Sequence, residues 1–426
     1  MAEVLFKNFE LLDVHEGVLK SGHQLLVKDD RIAAVKKGAI RAPKAETVDC
    51  GARTLMPGLI DCHLHIHNRG RLGPAAYPQA LPSLQTATAG DVLKGVLMRG
   101  FTTGRDTGGA DLGHKQAVEQ GLFIGPRLFV SGKSLTMTGG HGDGRSRFDL
   151  CEPCACVHLS GGGRIADGVD EVRKAVRDEI RLGADAIKFS ASGGIASAAD
   201  TIGHIQYSME EIEAAVDEAT RSDTYVLAHV YSDVAIRRCV EAGVHSIEHG
   251  NFLSPETAAL MAEKGAVLVP TLVTFRALAE RGAAMQISEF EMSKIHYVLS
   301  SGTRSLEVAK AAGVKMAYGT DCFRSGEEYE SQEFLVRADV LSAAEIIHSA
   351  TVVGAELVRM AGEIGVIAPG AYADILVVDG NPLDDLGLFQ DEGAHMSAIM
   401  KEGRFYKNRL ASAGLKASAK RALETV

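Results

Sequence analysis

Short apolar runs alternate with polar or glycine-rich loops through the middle of the chain, and most of these loops lead into stretches with helical periodicity. This alternation is typical of repeated strand-helix units. Two of the intervening helices, Val169 to Leu182 and Met209 to Arg221, combine an acidic first turn with apolar residues three and four positions apart. Eight strands are predicted: Leu59 to His65, Phe101 to Asp106, Arg127 to Ser131, Asp185 to Ser190, Thr224 to Val230, His245 to His249, Ala266 to Thr271 and Val314 to Asp321. The pattern therefore predicts an α/β fold with a (β/α)8 TIM-like barrel over residues 57–365.

Both ends of the chain alternate apolar and polar residues instead, with turn signals between the runs. The segment Gln24 to Val35 predicts a hairpin with Asp29 and Asp30 at the bend, and Ala373 to Asp379 predicts a strand of the same kind. We expect residues 1–56 and 366–407 to form one small β-sandwich domain. A C-terminal helix is predicted for residues 408–426.

Composition and charge narrow the class of protein. The 426 residues are 46% hydrophobic and 23% charged, as in a globular enzyme, and the formal charge of −10 argues against a nucleic-acid partner. The N-terminus lacks a secretory signal pattern, and no apolar run approaches the roughly 20 residues of a membrane span. Seven scattered cysteines do not resemble a disulfide framework. We expect a cytoplasmic protein without a membrane partner.

Histidines and one aspartate fall at the C-terminal ends of predicted strands. His63 and His65 are two residues apart and so point to one face of their strand, while His229, His249 and Asp321 each end a later strand. A single such residue often only caps a loop or forms a buried hydrogen bond. In a barrel, however, these strand ends build the active site, so five of them together predict a metal site. Imidazole and carboxylate suit Zn²⁺, with Mn²⁺, Fe²⁺ or Co²⁺ allowed by the same ligand logic.

Lys188 lies within an apolar predicted strand, where an uncompensated ammonium costs on the order of several kcal/mol. One interpretation is that the side chain snorkels to solvent or pairs with a carboxylate. The other is that its neutral amine has captured CO₂ as a carbamate, whose two oxygens can bridge two cations.

In order and type, these residues resemble the metal-site motif of the amidohydrolase superfamily, and the resemblance extends over nearly the whole chain, including the segment Gly365 to Ile375. It implies hydrolysis of an amide bond by a hydroxide shared between two divalent metal ions, with Asp321 as proton shuttle. Zinc is the expected metal. The implied ligands are His63, His65 and Asp321 for one ion, His229 and His249 for the other, and a carboxylated Lys188 that bridges the two.

Three stretches resemble the imidazolonepropionase-like branch, which contains Xaa-Pro dipeptidases: Thr138 to Gly142, Lys188 to Gly194 and Ala228 to Tyr231. This resemblance implies a small-molecule substrate, a dipeptide of the Xaa-Pro type. We expect His141 to bind the substrate and to donate a hydrogen bond to the oxyanion. Tyr231 is the candidate for binding the substrate carboxylate, although an aromatic side chain that only packs at the barrel mouth fits the pattern equally. Hydrolysis of imidazolone or another cyclic amide, and a non-enzymatic scaffold of the same fold, are the alternatives.

A cysteine cluster, Cys151, Cys154 and Cys156, suggests a structural zinc site with His158 as fourth ligand. No second cysteine pair follows at the usual spacing, so thiols in a long loop are the preferred interpretation. The surfaces left outside the barrel favour a homo-oligomer.

Overall fold

The computed structural model describes residues 3–68, 80–145, 148, 163–197, 200–282, 287–322 and 327–410. The chain divides into two compact units, residues 1–59, 98–102 and 343–426 in the first and residues 60–97 and 103–342 in the second. Residues 343–365, assigned to the barrel by the sequence, belong to the first unit in this division. The predicted domain boundaries stay predictions.

The strands in the described residues are β1 Glu3–Asp13, β2 Val18–Lys20, β3 His23–Lys28, β4 Arg31–Lys37, β5 Glu46–Pro57, β6 Leu59–Leu64, β7 Phe101–Asp106, β8 Arg127–Val130, β9 Leu135–Thr136, β10 Arg164–Ile165, β11 Ile187–Ser190, β12 Val226–Ser232, β13 Ser246–Phe252, β14 Val267–Val269, β15 Ile375–Val378, β16 Met396–Lys401 and β17 Arg404–Asn408. The α-helices there are α1 Pro82–Met98, α2 Leu112–Glu119, α3 Val169–Arg181, α4 Met209–Arg221, α5 Asp233–Glu241, α6 Pro255–Lys264, α7 Leu272–Arg281, α8 Glu289–Leu299, α9 Arg304–Ala312, α10 Glu333–Arg337, α11 Ala343–His348 and α12 Gly354–Leu357.

The first unit contains one mixed sheet built from both ends of the chain. Its described strands follow the order β17-β16-β15-β5-β1-β3-β4, and β2 pairs with β1. The predicted hairpin is confirmed as the antiparallel pair of β3 and β4, with Asp29 at a φ of 56° in the bend. Phe6, Leu25 and Ile375 belong to the buried core of this unit. Folding of the sheet into a sandwich stays a prediction.

Parallel strands dominate the second unit. In its described part, β6, β7 and β8 form one sheet, and β10, β9, β11, β12, β13 and β14 follow one another in a second. All recorded pairings of the second sheet are parallel, as is that of β7 with β8. Strands of this kind are buried on both faces, and all four residues of β11 are buried, including the polar Lys188 and Ser190. The predicted α/β class is confirmed.

The eighth predicted strand, Val314 to Asp321, is irregular. Its only assigned pairing is an isolated parallel bridge between Met316 and Leu268 of β14. The segment nevertheless hydrogen-bonds on two sides: Ala317 N–H donates to Leu268 O at 2.9 Å, and Cys62 N–H of β6 donates to Tyr318 O at 2.8 Å. The prediction of a regular strand is therefore wrong here, although the backbone runs between β14 and β6.

Two sequence expectations concern segments that are described in part or not at all. The cysteines Cys151, Cys154 and Cys156, with His158, lie outside the described residues, and so do residues 411–426 of the predicted C-terminal helix. Among the described helices, none combines the length and the apolar character that a membrane crossing requires.

Candidate metal centre

The strand register brings the predicted ligands together at one end of the parallel strands of the second unit. His63 lies near the end of β6, and His65 is the first residue after this strand. In the second sheet, Ser190 of β11 is paired with His229 of β12, and Val230 with His249 of β13. This is the end at which the active sites of parallel α/β folds are built.

The closest grouping consists of His63, His249 and Asp321, whose ligand atoms all lie within 4.8 Å of one another. Asp321 Oδ1 also lies 3.4 Å from His65 Nε2 and 3.6 Å from His63 Nε2. The three grouped side chains are buried. Two imidazoles and a carboxylate converging in a buried place are a donor set that suits a divalent metal ion.

His229 extends this grouping toward a second position. Its Nδ1 lies 2.9 Å from His249 Nε2 and so faces the grouped ligand atoms, whereas its buried Nε2 lies against Gly194. His229 therefore fits the role of a ligand to a second ion.

Burial holds the histidines of the centre in the form that binds metals. It lowers the pKa of His229 and of His249 well below the usual value, and the neighbouring imidazoles lower both further. Both rings are neutral at physiological pH, and neutral imidazole is the form that coordinates a cation.

Lys188 is only 4% exposed, so its side chain does not reach solvent. Burial lowers its pKa from 10.5 to about 8, although the negative charges of Glu248 and Asp321 oppose the shift. A lysine with this pKa has about a tenth of its amine in the neutral form at pH 7, far more than an ordinary lysine.

Three of the histidines at the centre are each held by a contact at Nδ1. Nδ1 of His63 lies 2.7 Å from Glu248 Oε2, Nδ1 of His65 lies 2.9 Å from Gly108 O, and Nδ1 of His249 lies 2.7 Å from Thr271 Oγ1. Such contacts set the tautomer and the ring direction of metal-binding histidines. The Nε2 atoms of the three histidines are thereby directed toward the centre.

Glu248 and Arg105 form a buried ion pair beneath His63 that the sequence analysis missed. Arg105 Nη2 lies 2.8 Å from Glu248 Oε1, and Arg105 Nε donates to Cys62 O at 2.7 Å. Both side chains are almost fully buried. A charged residue inside a predicted strand, directly before His249, was the signal that could have revealed Glu248.

The backbone is strained at two of the candidate ligands. His249 and Asp321 have φ values of 72° and 51°, and Thr271, the partner of His249, has a φ of 48°. Non-glycine residues rarely adopt this region, which costs on the order of 1–3 kcal/mol each and is concentrated at functional sites. The strain is consistent with a backbone bent to direct these side chains into the centre.

His141 and Tyr231 lie against two of the ligand candidates. The His141 ring stacks on His229 with centroids 4.1 Å apart and an interplanar angle of 7°. The Tyr231 ring stacks on His249 with centroids 4.9 Å apart, and its side chain is buried beside Phe275. Burial raises the pKa of Tyr231 well above its usual value, so its hydroxyl keeps its proton. The structure therefore brings both residues to the edge of the centre.

Comparison with known proteins adds an independent observation. A sequence model described as "Amidohydrolase family" matches residues 54–405. An ochratoxinase of Aspergillus niger is 32% identical over 369 residues, which cover 83% of this chain and 75% of that protein. The crystal structure of a prolidase complexed with N-methylphosphonate-L-proline matches with a TM-score of 0.92 and 45% identity, covering 96% of this chain and 100% of that one. A Xaa-Pro dipeptidase with bound methionine in its active site matches with a TM-score of 0.87 and 29% identity, covering 96% of this chain and 100% of that one.

Proposed function

The chain belongs to the amidohydrolase family and is a hydrolase that acts on amide bonds, and from this we propose that it cleaves Xaa-Pro dipeptides at a centre for two divalent metal ions. The observation that carries the proposal is the buried convergence of His63, His249 and Asp321, with His229 in contact beside them. The similarity to a prolidase structure over nearly the full length supports the choice of substrate.

Six side chains would hold the metal ions: His63, His65 and Asp321 on one ion, His229 and His249 on the other, and Lys188 between them. The neutral, buried histidines and the contact of His229 Nδ1 with His249 Nε2 support this assignment. When bound, two such cations, expected to be zinc, lower the pKa of a water molecule to about 7 and polarise the scissile carbonyl.

A carbamate on Lys188 is part of the proposal. No hydrogen bond or salt bridge connects Lys188 to another described residue, and Glu248 is already bound by Arg105 and His63. A buried ammonium without a partner is unfavourable, whereas a carbamate supplies a negative charge and two ligand oxygens.

Asp321 would accept the proton of the attacking water and pass it to the departing nitrogen. Its carboxylate lies against His63 and His65, where it can serve both as ligand and as base. His141 would donate a hydrogen bond to the oxygen on which negative charge develops. Its stacking on His229 supports a position facing the carbonyl.

Tyr231 would bind the substrate carboxylate through its protonated hydroxyl. If so, Tyr231→Phe raises KM for dipeptides far more than KM for uncharged amides. Equal effects on both substrate classes would contradict this role and favour Tyr231 as a packing residue in the cluster with Phe275.

We also propose that the parallel strands of the second unit close into a (β/α)8 barrel. Hydrogen bonds from segment 315–321 to both β14 and β6 support closure. The composite β-sandwich domain, the cytoplasmic location and the homo-oligomer stay predictions.

A second candidate is ochratoxinase-like amide hydrolysis, favoured by the 32% identity to the Aspergillus niger protein. A cyclic amide is the third candidate. Protein loaded with zinc in bicarbonate buffer should be assayed against a panel of Xaa-Pro dipeptides, ochratoxin and cyclic amides, and its zinc content measured. Turnover of the dipeptides with two zinc ions per chain is expected. Turnover confined to ochratoxin or to cyclic amides would contradict the dipeptide assignment.

A further inference from the structure

Lys294 of α8 is a buried lysine outside the metal centre. Its Nζ donates to three backbone carbonyls of the segment after β11: Gly194 O at 2.6 Å, Ser197 O at 2.5 Å and Asp200 O at 3.4 Å. The side chain is 5% exposed. Replacing a buried charge by an apolar residue often leaves a protein equally stable, so stability alone does not explain this lysine. Its three contacts indicate that it holds the residues after β11 in one place.

Asp200 and Gln206 continue these contacts toward His141. Asp200 Oδ1 accepts from Gly194 N–H at 3.2 Å and lies 3.9 Å from Lys294 Nζ. Asp200 Oδ2 accepts from Gln206 Nε2 at 2.9 Å, and Gln206 Oε1 in turn accepts from His141 N–H at 3.0 Å. Both side chains are buried. A continuous set of hydrogen bonds therefore links α8 to the backbone of His141.

The segment held by Lys294 lies directly against the stacked rings of His141 and His229. A Cβ atom at Gly194 would lie 2.2 Å from His141 Cε1 and 2.6 Å from His229 Nε2. There is no room for movement of this backbone toward the rings. The position of residue 194 therefore limits where both imidazoles can lie.

We propose that Lys294, Asp200 and Gln206 are positioning residues that hold His141 against His229 and so fix the direction from which His141 faces the substrate carbonyl. The inference rests on the proposed function, in which His141 acts on the oxyanion. The three residues act through His141, so their effect on turnover depends on the presence of that ring.

A double-mutant cycle tests this dependence. His141→Asn is expected to lower kcat about 100-fold, as does loss of an oxyanion donor elsewhere. Lys294→Met should lower kcat about tenfold in the wild-type chain, with little change in KM, and should cause no further loss in the His141→Asn background. Lys310→Met is the matched control, since Lys310 is exposed on α9 and donates to Val340 O. This control should leave kcat unchanged.

A second measurement does not depend on activity. In metal-free protein with isotope-labelled histidine rings, the His141 signal is assigned by its loss in His141→Asn. Gln206→Met should shift or broaden this signal and leave that of His395 unchanged. If Lys294→Met loses its cooperative unfolding transition, the charge-neutral pair Lys294→Met with Asp200→Asn replaces it.

Three results would overturn the proposal. They are an equal loss of kcat in both backgrounds, an unchanged kcat in folded Lys294→Met, and an unperturbed His141 signal in Gln206→Met. If His141→Asn itself leaves kcat unchanged, the role of His141 under the proposed function is wrong, and the ring spectrum alone then decides whether the three residues position it.

Discussion

Replacement of Glu248 by glutamine should weaken zinc binding about 10- to 100-fold. Glu248 Oε2 lies 2.7 Å from His63 Nδ1, and this contact keeps the proton on Nδ1 so that Nε2 carries the lone pair for the metal. Glutamine keeps the shape of the side chain but removes its charge. The His63 ring is then a weaker ligand and is free to adopt the other tautomer.

The size of the effect follows from the two contacts of Glu248, one with His63 and one with Arg105. A 10- to 100-fold weaker affinity corresponds to about 1.4–2.7 kcal/mol. Arg105, 1% exposed, loses the carboxylate at 2.8 Å and is left as a buried charge. Breaking a buried pair in this way costs about 3–5 kcal/mol of folding free energy, so the variant should also unfold at a lower temperature.

A matched control separates lost stability from lost affinity. Glu333 and Arg337 form another fully buried pair, with 2.8 Å between Arg337 Nε and Glu333 Oε1, and Glu333 also accepts from Val273 N–H rather than from a histidine. Glu333→Gln should therefore lose stability by a similar mechanism and keep its zinc affinity. The measurement is competition for zinc with a chromophoric chelator, with thermal unfolding of the metal-free proteins alongside. Zinc affinity in Glu248→Gln equal to wild type, or equally reduced in both variants, would refute the reasoning.

The remaining predictions concern three other positions. Gly194→Ala should lower kcat and cost about 1–3 kcal/mol of stability, because its Cβ must displace the His141 and His229 rings; full activity with an unchanged melting temperature would contradict this. Glu218→Gln should cost about 1–2 kcal/mol at pH 7, since ion pairs, chiefly with Arg177, lower the Glu218 pKa from 4.5 to about 2. A depressed folded-state pKa stabilises above pH 4.5, so in urea unfolding the difference from wild type should narrow as pH falls from 4.5 to about 2, and a constant difference would exclude the mechanism. Lys188→Gln cannot form a carbamate, so after incubation with ¹³C-bicarbonate the wild type alone should show a carbamate carbon signal, and the variant should retain fewer zinc ions per chain.

The positions of the candidate ligands could be predicted because they depend on local patterns. His63 and His65 share a face through the period of a strand, and the ends of parallel strands meet at one place whatever the loops between them do. The irregular eighth strand shows the limit of such patterns. An apolar run from Val314 predicts extended backbone, but it cannot reveal that the pairing is reduced to a bridge at Met316 and single hydrogen bonds beyond it.

The residues that support the ligands could not be predicted because each depends on a distant partner. Glu248 and Arg105 are 143 positions apart, and Lys294 and Gly194 are 100 positions apart. Nothing in the strand of Arg105 or the helix of Lys294 specifies that partner, because each pairing depends on which elements become neighbours. In the sequence, each of these residues appears as a single charge in an amphipathic or apolar element. Such a side chain is most often exposed to solvent.

The interpretation of Lys188 also depends on contacts with residues that are distant in the sequence. From the sequence, a pairing with a carboxylate and a carbamate were equally open. The structure shows that the side chain is 4% exposed, which removes snorkelling, and that Glu248 is bound on one oxygen by Arg105 and on the other by His63. Asp321 in turn lies against His63 and His65. Because both nearby carboxylates are engaged, an ammonium at Lys188 would be a buried charge without a free counter-ion, and this is the observation that supports the proposed carbamate.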